Sequence, residues 1–144
     1  MKRFALALVP AALVAGISLF APTVAAEESD AQRQAGAAAT AWLAQVDAAQ
    51  YDASWDAASS LFQRAVSKAD WDKALRASRT PLGAVRSRKP QSSTETHSLP
   101  GAPDGDYVVL TFETSFENKA SAVETLTPMR EKDGKWKVSG YYIR

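Results

Sequence analysis

The chain has no cysteine and one histidine among its 144 residues. Without disulfides, the fold rests on packing alone. His97 is solitary, with no thiol, second imidazole or aligned helical carboxylate pair to join it, so a zinc site lacks ligands. Glycine loops that cradle phosphate, a serine-nucleophile elbow and an HExxH helix are missing too, and no internal repeat is visible. "PDGDY" brings Asp104 and Asp106 together, but a calcium loop needs more oxygen ligands at regular spacing, so this stretch reads as a turn. The motifs therefore assign no catalytic residue, no metal and no cofactor.

What is present starts with Lys2 and Arg3, an apolar run from Phe4 to Phe20 and the small-residue stretch "APTVAA". This pattern predicts a secretory signal peptide over residues 1–26, cut after Ala26, and a periplasmic or secreted protein. The rival is an uncleaved membrane anchor, but the run falls short of the roughly 20 residues of a spanning helix and contains Pro10. No cysteine follows to carry a lipid. After cleavage the protein is not expected to be integral to a membrane, and residues 27–144 have the length of a single domain with one core.

The leader holds two of the 17 basic residues and none of the 16 acids, which leaves 15 against 16. Yet six cations, Lys73, Arg76, Arg79, Arg86, Arg88 and Lys89, fall in one stretch without an acid. The rest of the domain is acidic. Such an asymmetry offers a place for an anion, and outside the cytoplasm nucleic acid is not the expected one.

Residues 27–50 are rich in Ala and Gln, with Ala35, Ala38, Ala39, Trp42, Val46 and Ala49 at helical spacing, which predicts one helix. "YDASWDAASSLF" predicts a second, capped at Asp52, with Trp55, Ala58 and Phe62 on one side. Ser67, followed by Asp70 and flanked by the apolar pair Val66 and Trp71, predicts a third helix from Lys68 with Trp71, Ala74, Leu75 and Ser78 inward. It must end before "TPLG", where Pro81 biases Thr80 out of the helical region.

Beyond Gly83 the period changes from helical to alternating. "AVRSRK" predicts a first strand, and Ser92–Ser98 an irregular one before a loop over residues 99–106. "YVVLTFETSF" alternates cleanly, with Val108, Leu110, Phe112, Thr114 and Phe116 as core and Tyr107, Val109, Thr111, Glu113 and Ser115 outside. A turn at "ENKAS" and a hairpin at Asp133-Gly134 complete a three-strand meander. In the last strand Trp136, Val138, Gly140 and Tyr142 are expected inward, Lys137, Ser139, Tyr141 and Ile143 outward. Pro128 lies in a central strand, where it loses a ladder bond, which predicts a bulge.

Trp55, Trp71, "RTPLG" (79–83), "SR" (87–88), "LPGAPDGDYVVLTF" (99–112) and "DGKWKVSGYYIR" (133–144) occur in an order that resembles an uncharacterised bacterial family of exported proteins, Domain of Unknown Function family 4019. The resemblance implies an α+β fold similar to the cone of nuclear transport factor 2, with N-terminal helices against a curved antiparallel sheet. It implies no activity.

Three functional readings follow. The first is binding: Arg79 and Arg88 as a fork for an anionic ligand, or the tryptophans Trp42, Trp55, Trp71 and Trp136, Trp55 and Trp71 foremost, with Tyr142, around a cavity for a small apolar one. Each has a structural counterpart, since cations complement a helix C-terminus and protect an edge strand, and aromatics at helical spacing fill cores. The second is an acid–base enzyme like the steroid isomerases of that fold, for which Glu124 is the carboxylate whose facing the pattern does not decide. The third is a homodimer or accessory subunit joined through an outer sheet face bearing Tyr107, Val109, Tyr141 and Ile143.

Overall fold

The computed structural model describes residues 25–144. The expected leader therefore lies outside the described residues, except for Ala25 and Ala26. Helix α1 runs Asp30–Asp47, α2 Tyr51–Ala57, α3 Ser60–Ala65 and α4 Lys68–Ser78, followed by a 3-10 turn at Thr80–Leu82. Four strands follow, β1 Val85–Thr96, β2 Tyr107–Phe116, β3 Lys119–Arg130 and β4 Trp136–Ile143. They form one antiparallel sheet in the order β1-β2-β3-β4, which is not closed. The fold is α+β, with helices first and the sheet second. No helix among the described residues is long and apolar enough to cross a membrane.

α1 opens with a capping box: Ser29 Oγ accepts from the Gln32 N–H, while the Ser29 N–H donates to Gln32 Oε1. Its inner stripe buries Ala35, Ala39, Trp42, Leu43 and Val46 against the sheet. The helix stops where Ala49 turns left-handed at φ 57°, so Ala49 leaves the stripe expected of it.

The predicted second helix is two helices. Ser59 is the reason, because its N–H donates to Val138 O at 2.9 Å and its hydroxyl accepts from the Phe62 N–H at 3.1 Å, which pulls the chain out of one helix and caps the next. Asp52 is not the cap; α2 starts at Tyr51 after Gln50. Ser67 caps α4 as expected, accepting from the Asp70 N–H. Trp71 and Leu75 are buried, but Ala74 and Ser78 are exposed.

β1 is a single strand through Pro90, which an edge position tolerates. It holds an extra residue at Arg86 and another at Gln91, opposite the straight run of β2. β2 buries the five residues its alternation indicates. Tyr107 is buried as well, because its hydroxyl donates to Pro103 O at 2.6 Å under the preceding loop.

The irregularity expected at Pro128 exists, with Leu126 paired to Tyr141 and Pro128 to Val138. The extra residue, however, lies in β4. Adding one residue inverts the alternation of everything beyond it. Tyr141 consequently turns inward and Tyr142 outward, 51% exposed, the reverse of the sequence expectation.

Candidate functional site

Arg79 and Arg88, nine residues apart in the basic stretch, meet on one carboxylate. Arg79 caps the end of α4, and its guanidinium donates to Gly83 O at 2.7 Å and Asp47 Oδ1 at 3.1 Å. It also lies 4.5 Å from the centre of the Phe116 ring. These contacts explain the "RTPLG" stretch: the 3-10 turn and the left-handed Gly83, φ 76°, fold the chain back so that its own carbonyl meets the arginine.

Arg88 is aimed inward by the extra residue at Arg86. Two of its nitrogens grip Asp47 at 2.7 and 2.9 Å, and its Nε donates to Glu124 Oε1 at 2.7 Å. Glu124 is fully buried. It also accepts from Thr114 Oγ1 at 2.6 Å and from the Tyr141 hydroxyl. The Tyr141 ring stands edge-on to Trp42 at 5.2 Å, and Trp42 leads to Trp71 and Phe62 in the core.

Two cations thus face two carboxylates, with α1, the α4 cap and every strand contributing one group. Burial pushes the Asp47 carboxyl up, but the hydrogen bonds and charges of Arg88 and Arg79 outweigh it and hold it below the usual carboxylate range. Burial likewise works against the charge on Arg88, yet Asp47 and Glu124 raise it further above its ordinary value. For Tyr141 both effects agree: burial first, then the charge of Glu124, push the phenol up. Buried pairs of this kind add little net stability over apolar packing, but losing one member is costly. The cluster joins helices to sheet as a lock. Its cations already hold internal counter-ions.

The remaining expected site residues stand apart from it. Trp71 sits in the core with its Nε1 on Ser54 Oγ at 3.0 Å. Trp55 is half-buried, donates to Val66 O at 2.8 Å and lies under Lys68. Tyr142 is outside, beside Arg144. His97 is exposed and bonds Asp106 at 2.9 Å. No group of acids and histidine suited to a metal occurs among the described residues.

Open space lies along both flanks of α1. Toward β1 and β2 a groove of about 430 Å³ has Leu110 and Phe112 as its floor and Pro90 on its strand side. Gly36 forms its helix wall, where a Cβ would meet nothing within 4 Å. Toward β4 a cleft of about 300 Å³ is lined by Trp42, Trp136 and Val138 among others. Sequence reasoning missed the first, for which the one available signal was Gly36 itself, a poor helix former in the middle of an alanine-rich helix. The second is lined by two of the four tryptophans expected around a cavity, Trp42 and Trp136, but not by Trp55 or Trp71.

A family model described as "Protein of unknown function (DUF4019)" matches residues 38–141. The chain belongs to that family. The DUF4019 segment includes the whole lock, from Asp47 to Tyr141. No curated protein matches the chain.

Proposed function

We propose that this DUF4019 member is an exported binding protein of the bacterial cell envelope that holds a small, largely apolar ligand in the groove between α1 and β1–β2. Gly36 carries the reading. A glycine inside a helix costs about 1 kcal/mol relative to alanine, and here neither a close neighbour nor a positive φ requires it. Its effect is to keep open a groove with an apolar floor, of the size that small-molecule sites usually have. Export rests on the sequence pattern of residues 1–26, and the cone-like resemblance belongs to the same proposal.

The acid–base alternative is less well supported. Glu124 is the carboxylate it needs, but its oxygens already accept from Arg88, Thr114 and Tyr141, and it does not line the groove. The dimer alternative loses two of the four residues of its face, since Tyr107 and Tyr141 are inside.

Mass spectrometry of organic extracts of the protein purified from its native envelope tests the proposal. The wild type carries a compound that Gly36→Trp lacks. Equal loading of the two would refute the groove as the site.

A further inference from the structure

The four indole N–H groups divide three to one. Trp42 donates to Ser54 O at 2.8 Å, Trp55 to Val66 O at 2.8 Å and Trp71 to Ser54 Oγ at 3.0 Å. Trp136 donates to nothing, although it is only 8% exposed and its Nε1 is buried. Buried indoles usually find a partner, and leaving such a donor unmet is costly.

Trp136 lines the cleft on the β4 flank of α1 together with Trp42 and Val138. Lys135 and Lys137 also line the cleft, and neither has an ion-pair partner among the described residues. This contrasts with Arg79 and Arg88, whose charges are met internally. An apolar cleft, an indole donor left unmet and two lysines without ion-pair partners among the described residues together describe a complement: an aromatic ring bearing a negative oxygen group.

We infer that this cleft is a binding site for a small aromatic carboxylate, with the ring against the Trp42 and Trp136 lining and the carboxylate drawn to Lys135 and Lys137. The site shares no lining residue with the groove at Gly36, so the inference does not depend on the function proposed above. Trp136 also borders a smaller hollow of about 170 Å³, but there Glu95 and Asp106 stand beside Arg130 and His97, both bonded to Asp106, so its cation is already engaged while those of the lysine side are not.

The test uses indole ¹H–¹⁵N resonances, with the Trp136 peak assigned through Trp136→Phe. Phenylacetate is the probe, and phenylacetamide is its uncharged match in shape. Phenylacetate shifts the Trp136 peak with a Kd on the order of 10⁻⁴ to 10⁻³ M, as expected for a ligand of this size, and phenylacetamide binds at least about fivefold more weakly, the loss of one such ion contact. Lys135 is exposed and Lys137 half-exposed, so Lys135→Ala/Lys137→Ala keeps the fold, which its unshifted core resonances verify. That variant binds phenylacetate no better than the amide, while Gly36→Trp binds it like the wild type. Equal binding of acid and amide, an unchanged affinity in the lysine variant, or no Trp136 shift at millimolar phenylacetate would overturn the inference.

Discussion

Arg88 Nε donates to Glu124 Oε1 at 2.7 Å, so a cation on the edge strand reaches past β2 to a fully buried carboxylate on β3. The same guanidinium holds Asp47 at the end of α1. One side chain therefore ties the sheet to itself and to the helical half. The two cations are paired with two carboxylates inside the cluster, and only Arg79 Nε of their nitrogens is buried without a partner.

Asp47 makes the protein acid-sensitive in a defined direction. Its folded pKa lies below the unfolded value of about 3.9, so its contribution is present above that value and lost as pH falls through the folded one. Asp47→Asn should cost about 2 kcal/mol at neutral pH, a figure kept modest because the carboxylate is 29% exposed. Urea unfolding of both proteins across pH checks this. The gap stays flat above about pH 5 and narrows below about pH 4.

Tyr141 acts at the other end of the scale. Its folded pKa is raised, so the stability it confers is complete below the unfolded value of about 10 and declines as pH climbs toward the folded one. Near-ultraviolet absorbance followed against pH should show Tyr141 ionising last, only as the protein unfolds, later than Tyr107, which burial also raises. Tyr141→Phe should abolish that late component and leave the others.

Two backbone positions in and after α1 can be improved. Ala49 stands at φ 57°, where a Cβ is strained, so Ala49→Gly should stabilise by about 0.5 to 1 kcal/mol. Gly36→Ala adds a methyl group into open space within a helix and should gain a similar amount, up to about 1 kcal/mol. Denaturant midpoints measure both, and a loss at either position would contradict the local geometry described.

Much of the fold was legible wherever signals are local. The Ser67 cap, the change of period after Gly83, the alternation of β2 and the Asp133-Gly134 hairpin each depend on neighbours in sequence, and each appears. The site was legible only in part. Arg79 and Arg88 stood out as charges, but nothing near Asp47 or Glu124 marks them as partners across 41 and 36 residues. The orientation of Tyr141 and Tyr142 was misread because an extra residue in β4 relieves the missing N–H of Pro128 in the neighbouring strand, a cross-strand effect that alternation within β4 does not reveal. The extra residue at Arg86 acts in the same way on Arg88.

A double-mutant cycle on Arg88 and Glu124, read by urea unfolding, tests most directly whether the buried charges are a lock. Each single change, Arg88→Met or Glu124→Gln, strands a partner and should cost about 3 to 5 kcal/mol. The double variant should cost at least about 2 kcal/mol less than the two singles combined, as expected for residues in one network. Costs that add to within about 0.5 kcal/mol would mean the two groups act independently, and the lock would not exist.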